Sequence, residues 1–471
     1  MKLVWLRTDL RALDNTALNQ ALNGNDPVVA LYIATPGQWH SHTKSRKQAD
    51  LIYRRLFELQ KELAALNVPL LYAEVDTYDD SITVLEDCLA EFGVKDLFFN
   101  YEYEMNERRR DEFIEGCLKT KSIRVHAFHD KCMYPPGTVL NKQNDYFKVF
   151  TPFKKSWLSR FQTPSVIQPS PASYRDLSSE QTSWLLSSAS CFSYPRESSD
   201  DWTVNYRDIE HKLDVFCDGK LRDYHKKRDF PAVDGISRLS PYLAIGALSV
   251  RQCLARAGSF PKENLSDGAE VWISELIWRE FYQHLMVFRE DLCTGKDFHA
   301  WGKRIIWQYS PGHLKKWQSG ETGYPIIDAA MRQLNQTGWM HNRLRMIVAS
   351  FLIKDLHINW RAGETYFMEK LIDGDFPSNN GGWQWCASTG CDGQPYFRIF
   401  NPVSQSKKFD AEGLFIKRWI PELAHVPAQY IHEPWRWKGA TNLSYPSPIV
   451  DHGEERKVTL ELYRVAKDTC Q

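Results

Sequence analysis

Polar and aromatic side chains are unusually dense between Thr337 and Tyr396, in a stretch whose other residues are typical of buried helices. The two densest runs read TGWMHNRLRM and LIDGDFPSNNGGWQWCASTG. Burying charged and amide groups costs free energy unless each group finds a partner. We therefore expect these runs to surround a ligand that is large, polar and aromatic.

Asn342 and Arg345 are three residues apart, which places them on one face of a predicted helix. Downstream, Asp373 and Asp375 flank a glycine in a predicted turn, and the segment 379–382 (NNGG) follows as a free backbone turn. A pair between Arg345 and a carboxylate would be bidentate and strong where water is excluded. Such side chains suit the edge of a heteroaromatic ring, whereas the alternative interpretation is a capped surface loop.

A second cluster lies in the sequence VWISELIWREFYQHLM, where Trp272, Glu275 and Arg279 share one helical face. Trp278 and Tyr282 flank that face. A carboxylate between two indoles suits a pocket that stacks a planar ligand and hydrogen-bonds to it, as proteins do with extruded bases. An ordinary amphipathic helix with a Glu275–Arg279 pair is the alternative.

A third cluster begins at Arg228 in the sequence RDFPAVDGISRLSPYLAIGALS. Ser237, Arg238 and Ser240 immediately precede a predicted helix. Hydroxyl groups and backbone N–H groups at the start of a helix can hold a phosphate. A simple helix cap is the alternative, because serine is a favoured capping residue.

Composition narrows the class of protein. Lys and Arg together number 59, as do Asp and Glu, so the net charge is zero, which argues against a strongly basic coat protein but permits a local basic face. The ten cysteines are scattered and lack metal-ligand spacing, so we predict no metal site and a reducing compartment. Neither a signal peptide nor a membrane-length apolar run is evident, which predicts a soluble, cytoplasmic protein.

The first third of the chain alternates short apolar runs with amphipathic ones, which predicts a doubly wound parallel sheet. The predicted strands are Leu3–Leu6, Val28–Ile33, Pro69–Val75, Leu97–Asn100 and Ile123–Ala127, and the predicted helices are Ser45–Leu66, Asp79–Phe92 and Asn106–Leu118. Neither G-x-G-x-x-G after the first strand nor a P-loop is found. Ligands of such sheets still favour the carboxyl ends of the strands.

Residues 165–201 are rich in Ser and Pro, which indicates a linker that wraps rather than one that is free, because Trp184, Leu185, Leu186 and Phe192 interrupt it. Beyond it strand patterns disappear, and the second half is predicted to be all-α. Helices are predicted to start at the N-cap Asp267, to run from Pro325 to Gly338, and to cover Met340–Leu356. We predict an α/β domain at 1–130, a linker at 131–201 and a helical domain at 202–471.

Together these segments resemble the photolyase–cryptochrome flavoproteins, and specifically the bacterial class I cyclobutane pyrimidine dimer photolyases. The likeness covers essentially the whole chain. Its most specific segments are WLRTDLRALDN, RDFPAVDGISRLSPYLAIGALS, WISELIWREFYQHLM, TGYPIIDAAMRQLNQTGWMHNRLRM and DGDFPSNNGGWQWCASTGCDGQPYFRIFNP. The resemblance implies an N-terminal α/β domain and an all-α C-terminal domain that binds FAD.

The resemblance also implies which residues contact FAD. Those near its pyrophosphate and ribityl groups would be Tyr224, Ser237, Arg238, Leu239 and Ser240. Those around its ring system would be Trp272, Asn342, Arg345, Asp373, Asp375 and Asn379. Arg345 and Asp373 would form an ion pair, and the uncharged amide of Asn379 would face the ring nitrogen, which fits a fully reduced, anionic flavin.

The implied reaction is the light-driven splitting of a pyrimidine dimer in damaged DNA, a carbon–carbon lyase reaction started by one electron from excited reduced flavin. Glu275 would hydrogen-bond to the dimer carbonyl and stabilise the charge that develops there. Trp278, Trp385 and Met346 would form the walls around the dimer. Phosphates beside the lesion would be held by Arg228, Arg279, Arg343 and Arg398. Electrons would reach the flavin during photoreduction through Trp307, Trp360 and Trp383.

The light-harvesting antenna is implied to be 5,10-methenyltetrahydrofolate, whose contacts in relatives match His42, Asn106, Glu107 and Cys293. The lysine that usually follows this cysteine is Thr294 here, with a lysine two residues later. A deazaflavin, or no antenna, is therefore the alternative. No obligate protein partner and no membrane are implied, and the protein is expected to be monomeric.

Three other functions are alternatives: a cryptochrome-type blue-light photoreceptor, a (6-4) photolyase, and a light-independent flavin oxidoreductase. Cryptochromes commonly carry a long C-terminal extension, whereas this chain ends about thirty residues after Trp437. The (6-4) chemistry uses a pair of histidines, and His341 alone is present beside Asn342 and Met346. An oxidoreductase would need a nicotinamide-binding fingerprint, which the sequence lacks.

Overall fold

A computed structural model describes residues 1–190, 192–258 and 265–468. The contacts within the chain divide it into two compact units. The first unit comprises Met1–Arg222, Ser237–Glu290 and Ile372–Asp375, and the second comprises Asp223–Ile236, Asp291–Leu371 and Phe376–Gln471. The boundaries predicted at residues 130 and 201 follow the change from sheet to helices and stay a prediction.

The first unit contains a five-stranded sheet in which each neighbouring pair of strands is parallel. Its strands are β1 (Lys2–Leu6), β2 (Val28–Ala34), β3 (Leu70–Glu74), β4 (Asp96–Asn100) and β5 (Arg124–Phe128), in the order β3-β2-β1-β4-β5. In this register Leu3 lies opposite Val29 on one side and Leu97 on the other. The predicted strands are confirmed, with ends that differ by one residue.

The described residues also form α-helices along the whole chain. They are α1 (Thr16–Leu22), α2 (Pro36–Ser41), α3 (Arg46–Ala64), α4 (Ser81–Glu91), α5 (Met105–Thr120), α6 (Phe150–Ser159), α7 (Ser179–Thr182), α8 (Tyr206–Gly219), α9 (Tyr224–Lys227), α10 (Ser240–Ala244), α11 (Val250–Ala257), α12 (Asp267–Phe288), α13 (Pro311–Ser319), α14 (Pro325–Thr337), α15 (Asn342–Lys354), α16 (Trp360–Lys370), α17 (Phe376–Ala387), α18 (Pro402–Phe409), α19 (Leu414–Trp419) and α20 (His452–Asp468). Among the described residues, none of these helices is long and apolar enough to cross a membrane.

Helices cover both faces of the sheet, as the doubly wound prediction requires. Alternate strand residues such as Leu3 and Phe99 pack in one core cluster with apolar residues of α4 and α5. Helices α1 and α3 contact the strands as well, and their buried leucines lie outside that cluster. Strands buried on both faces explain the continuous apolar runs in the sequence.

The serine- and proline-rich linker packs against the edge strand β3. The N–H of Tyr72 donates to the carbonyl of Trp184 (2.8 Å), and the N–H of Leu186 donates to the carbonyl of Leu70 (2.9 Å). The ring of Phe192, which is buried, lies 5.0–6.3 Å from four aromatic rings, those of Tyr32, Trp39, Tyr53 and Tyr72. The prediction of a wrapped linker is therefore confirmed.

Two local predictions in the helical part are wrong. The N-cap of α12 is Ser266 rather than Asp267, because the hydroxyl of Ser266 accepts a hydrogen bond from the N–H of Ala269 (3.2 Å). The segment NNGG, predicted as a free turn, lies inside α17. Tertiary hydrogen bonds made by its asparagines outweigh the low helix propensity of Asn and Gly.

Two other helices predicted for this part are present, one of them with a shifted start. Helix α14 begins at Pro325 and ends at Thr337, and Gly338 is its C-cap, with a φ of 71° in the left-handed conformation typical of that position. Helix α15 begins two residues later than predicted, at Asn342, because the ring of His341 accepts from the N–H of Arg343 (3.2 Å) and so caps the helix.

We predict that Phe192→Ala lowers the free energy of unfolding by about 3 kcal/mol, because it removes a ring that four aromatic neighbours enclose. Urea denaturation followed by tryptophan fluorescence measures this change. Tyr174→Ala is the matched control, since Tyr174 lies in the same linker with 72% of its surface exposed. Equal effects of the two substitutions would contradict the packing of the linker described above.

Candidate functional site

Helix α12 carries the second of the predicted clusters. Trp272 is buried, with its ring 4.9 Å from that of Phe216. Trp278 is half-buried and stacks on Phe150 at 3.6 Å, with the two rings nearly parallel. Glu275 is also half-buried on this helix, between the two tryptophans in sequence. The helix therefore presents a carboxylate between indoles that its neighbours hold in place.

Glu280, one turn further along α12, has a different role. Its carboxylate accepts hydrogen bonds from the indole of Trp157 (2.7 Å) and from the N–H groups of Met133 (2.7 Å) and Tyr134 (3.1 Å). Three such bonds satisfy the buried carboxyl group. Glu280 thus ties α12 to α6 and to the segment that follows β5, and it is structural.

Arg279, predicted to hold a DNA phosphate, donates to two backbone carbonyl groups. Its guanidinium nitrogens lie 3.1 Å from the oxygen of Lys131 and 3.2 Å from that of Leu243. A phosphate contact would require these bonds to be exchanged. The role of Arg279 in DNA binding stays a prediction.

The turn that contains Asp373 and Asp375 is anchored to the first unit. The side chain of Gln48 donates to the carbonyl groups of Ile372 (3.1 Å) and Gly374 (2.8 Å). The side chain of Gln283, on α12, donates to Asp375 (3.2 Å), and Asp373 is buried. The turn is therefore fixed by two long-range contacts rather than by its own sequence.

The predicted phosphate segment 237–240 leads into the short helix α10. Arg238 adopts a positive φ of 53°, which turns the chain so that Leu239 is buried while Arg238 and Ser240 are exposed. Tyr224, in the second unit, is buried at the start of α9. The segment thus offers hydroxyl, guanidinium and backbone donors, which are the groups that bind phosphate.

In the second unit, α17 and α16 are joined by a buried polar network. The amide of Asn379 donates to the backbone carbonyl of Glu364 (3.0 Å). The amide of Asn380 donates to the carboxyl of Glu364 (2.7 Å) and accepts from Gln384 (3.0 Å). Burial raises the pKa of Glu364 to about 7, against the lowering effects of Asn380 and Arg361.

This network orients the side chain of Asn379. Its NH2 group donates to the backbone carbonyl of Glu364. This leaves its amide oxygen to accept a hydrogen bond from a ligand. A ligand with an N–H donor at this position would suit it, and so would the protonated ring nitrogen of a reduced flavin. The chemistry of the donors therefore fits the cofactor that the sequence implies.

Helix α15 carries several predicted residues at its start. Asn342 is exposed, and Met346 and Arg345 are half-buried, with Nε of Arg345 donating to the carbonyl of Met340 (2.8 Å). Arg343 forms an ion pair with Asp229 (2.8 Å). The predicted pair of Arg345 with Asp373 stays a prediction. The remaining residues are half-buried (Trp385, Arg228) or exposed (Arg398).

The three tryptophans of the predicted electron relay differ in burial. Trp360 and Trp383 are buried, whereas Trp307 is half-buried. The indole of Trp360 donates to Asp297 (2.9 Å). Helix α16 approaches Trp383 closely at Gly363, where an added Cβ would lie 2.1 Å from the indole. Interior and surface positions are thus both present, as a relay to the surface requires.

Three of the four predicted antenna residues come together. The Nε2 atom of His42 lies 2.9 Å from the amides of Asn106 and Gln38, and its Nδ1 lies 3.7 Å from Glu107. Glu107 also accepts from the hydroxyl of Tyr78 (2.9 Å). Burial raises the pKa of Glu107 to about 7, and burial together with Lys44 lowers that of His42 to about 4. Cys293 belongs to the second unit.

A narrow cavity lies at the carboxyl ends of β1 and β4, where ligands of doubly wound sheets bind. Arg11, Glu102 and Asp130 are among the charged side chains that line it, and all three are paired: Asp130 with Arg11 and with the nearby Arg251, and Glu102 with the nearby Arg110. Burial alone would raise the pKa of Glu102, but Arg110 and Arg7 lower it to about 2. A ligand here would have to displace buried ion pairs, which is costly.

Four residues that support the site were not indicated by the sequence: Glu364, Gln384, Asp229 and Trp317, whose ring lies 6.1 Å from that of Trp383. Asn380 was indicated only as part of a predicted turn. The spacing of Asn380 and Gln384, one helical turn apart, could have indicated their contact had α17 been recognised as a helix. Glu364 and Asp229 act through residues distant in sequence, and no local pattern indicates them.

Comparison with known proteins identifies the family. The family model described as "DNA photolyase" matches residues 2–173, and the one described as "FAD binding domain of DNA photolyase" matches residues 272–465. A deoxyribodipyrimidine photo-lyase of Vibrio cholerae is 54% identical over 99% of this chain and 100% of its own length. The protein of the same name from Escherichia coli is 50% identical over 99% and 98%.

Solved structures agree with these matches. A bacterial class III photolyase from Agrobacterium tumefaciens superposes with a TM-score of 0.83 at 32% identity, covering 99% of this chain and 98% of that one. The α/β sheet, the helical flavin-binding region and the resemblance inferred from the motifs are all in accord with these proteins. The chain belongs to the DNA photolyase family.

Proposed function

We propose that this protein is a deoxyribodipyrimidine photolyase, which uses blue or near-UV light to split cyclobutane pyrimidine dimers in DNA. The observation that carries the proposal is its similarity, over the full chain, to two enzymes that carry this name. A solved Synechocystis cryptochrome also resembles the chain over 98% of its length, but at only 27% identity, so the light-sensor alternative has weaker support. Helix α12, which presents Glu275 between two indoles, gives the proposed activity a physical basis.

FAD is the cofactor, and we propose that the residues implied by the resemblance hold it. When bound, reduced FAD would supply the light-driven one-electron chemistry of dimer splitting. The proposed contacts of the phosphate and ribityl groups are Tyr224, Ser237, Arg238, Leu239 and Ser240. The proposed contacts of the ring system are Trp272, Asn342, Arg345, Asp373, Asp375 and Asn379.

Asn379 is proposed to keep the cofactor in its reduced, anionic form. Its amide oxygen accepts from the protonated ring nitrogen, because its NH2 group is held by the carbonyl of Glu364. A carboxylate at this position would oppose a negatively charged flavin, whereas a neutral amide does not. Glu364 and Asn380 fix α17 against α16 and so set the position of this amide.

Glu275 is proposed to donate a hydrogen bond from its protonated carboxyl group to a carbonyl of the dimer while that carbonyl carries extra negative charge. The bond strengthens as the charge develops and so favours ring opening over loss of the electron. Trp278, Trp385 and Met346 are proposed to enclose the extruded bases. Arg228, Arg279, Arg343 and Arg398 are proposed to hold the adjacent phosphates, so binding should weaken as salt concentration rises.

We predict that Glu275→Ala lowers the yield of dimer repair roughly fivefold to tenfold, which is what a lost hydrogen bond of about 1–1.4 kcal/mol costs. FAD content should not change. The assay compares repair of a dimer-containing oligonucleotide in light and in darkness, with enzyme reduced beforehand. Glu270→Ala, at an exposed position on the same helix, is the control. Repair in darkness would refute the proposed function, and loss of FAD would make Glu275 structural.

The tryptophans Trp383, Trp360 and Trp307 are proposed to carry electrons to the flavin during photoreduction. Two are buried and the third is half-buried, so the set includes both interior and partly exposed positions, which supports the proposal. Gly363 lies so close to the ring of Trp383 that a residue with a Cβ would clash with the indole there. Repair itself does not need this path once the flavin is reduced.

We predict that Trp307→Phe slows photoreduction of oxidised flavin by at least tenfold, because phenylalanine is much harder to oxidise, while pre-reduced enzyme repairs dimers normally. Illumination in the presence of a thiol, followed by flavin absorbance, measures the rate. Trp184→Phe, in the linker, should have no effect. Loss of repair by pre-reduced Trp307→Phe would contradict the relay assignment.

We propose 5,10-methenyltetrahydrofolate as the antenna, held by His42, Asn106 and Glu107 together with Cys293. The support is the assembly of the first three in one cluster. The carboxylate of Glu107 suits the adjacent N–H donors of a pterin ring, and neutral His42 suits its polar edge. The narrow cavity at the ends of β1 and β4 is lined by side chains that already form ion pairs, which makes it a poor site for a planar chromophore.

We predict that folate affinity rises about tenfold between pH 6 and pH 8, because the acceptor is ionised Glu107 and its pKa is about 7 before binding. Glu107→Gln should bind weakly and remove this pH dependence. Equilibrium dialysis of antenna-free protein measures both. An absorption spectrum after heat release of the chromophores identifies the antenna, and a deazaflavin spectrum, or flavin alone, would overturn the folate assignment.

We also propose that the protein acts as a monomer in the cytoplasm, without an obligate protein partner. The support is its substrate, because an enzyme that repairs DNA works in the compartment that holds the genome. We further propose that the chain is divided into an α/β domain at 1–130, a linker at 131–201 and a helical domain at 202–471.

A further inference from the structure

Asp229 and Arg343 form an ion pair on the surface of the second unit. One carboxylate oxygen of Asp229 accepts from Nη2 (2.8 Å) and from Nε (3.3 Å) of Arg343. The side chains are 34% and 19% exposed, so the pair is accessible to a ligand while partly shielded from water. Two donors on one acceptor make a charge-assisted contact that orients the guanidinium.

A second arginine shares this carboxylate. The Nε atom of Arg228 lies 3.9 Å from the same oxygen of Asp229. Arg228 and Arg343 are two of the four residues proposed to hold phosphates beside the lesion. A single internal anion therefore lies within ion-pair distance of both.

Arg343 is also held by an aromatic ring. Its guanidinium lies 4.6 Å from the centre of Phe409, on which Lys408 also lies at 5.2 Å. Its Nη1 atom is 3.9 Å from the sulfur of Met346, a proposed wall of the dimer pocket. The stack on Phe409 would keep Arg343 in place if the contact with Asp229 were lost.

We propose that Asp229 is an intramolecular competitor for DNA phosphate: its carboxylate occupies Arg343 in the free protein, and a phosphate beside the lesion displaces it. A carboxylate and a phosphate bind the guanidinium fork in the same way, so the two exclude each other. Each binding event then breaks one ion pair, which lowers affinity and speeds release of repaired DNA. The inference rests on the proposed phosphate contact of Arg343.

The test is the affinity of Asp229→Asn for a dimer-containing duplex and for the same duplex without the lesion, measured in darkness by fluorescence anisotropy. The amide keeps the shape of the side chain but competes poorly for a guanidinium. We expect affinity for the damaged duplex to rise threefold to tenfold, with a steeper dependence on salt concentration. Asp200→Asn, which removes one charge at an exposed site in the first unit, should change affinity less than twofold.

A double-mutant cycle with Arg343→Gln separates the inference from its premise. We expect Arg343→Gln to weaken binding at least fivefold, and Asp229→Asn to have no effect in that background. If Arg343→Gln alone leaves the affinity for DNA unchanged, Arg343 does not contact a DNA phosphate, and the premise of the inference is refuted. If Arg343→Gln weakens binding while Asp229→Asn is silent or also weakens it, Asp229 positions Arg343 and the competition is refuted. Flavin absorbance of each variant confirms folding.

Discussion

Every polar side chain buried in this fold needs a partner, and that requirement determines where ligands can bind. In the first unit the crevice at the ends of β1 and β4 satisfies it internally, through ion pairs of Asp130 and Glu102 with arginines. In the second unit, Glu364 and Asn380 satisfy each other, and this leaves the amide oxygen of Asn379 to accept from a ligand. The need for partners thus makes the cavity of the first unit a poor ligand site and leaves Asn379 of the second unit able to bind a ligand.

Helix α17 carries residues proposed for two functions, cofactor binding and electron transfer. Asn379 and Trp383 are four residues apart on it, so the proposed contact with the flavin nitrogen and the start of the proposed electron relay share one helical face. Its position is fixed by the bond from Asn380 to Glu364 and by the close approach of Gly363 to Trp383. A shift of α17 would therefore disturb cofactor chemistry and electron supply together.

The sheet could be predicted from sequence because parallel strands buried on both faces are continuous apolar runs, and each was located within one residue. The helical character of α17 could not, because Asn-Asn-Gly-Gly favours a turn locally and only long-range contacts with α16 make it a helix. The family resemblance implied roles for Asn379, Glu275 and the relay tryptophans, and these roles are proposals. The motifs gave no sign of Glu364 or Asp229, whose partners are distant in sequence.

The central claim is that the polar network of α16 and α17 is built to hold a flavin. Amide hydrogen exchange of residues 376–387, compared between FAD-loaded protein and protein stripped of FAD, tests it most directly. Bound FAD should slow exchange in α17 by at least about 100-fold, because a ligand stabilises the segments that it contacts, while exchange in β1 and β2 stays unchanged. Equal protection of α17 in the two forms would contradict the account.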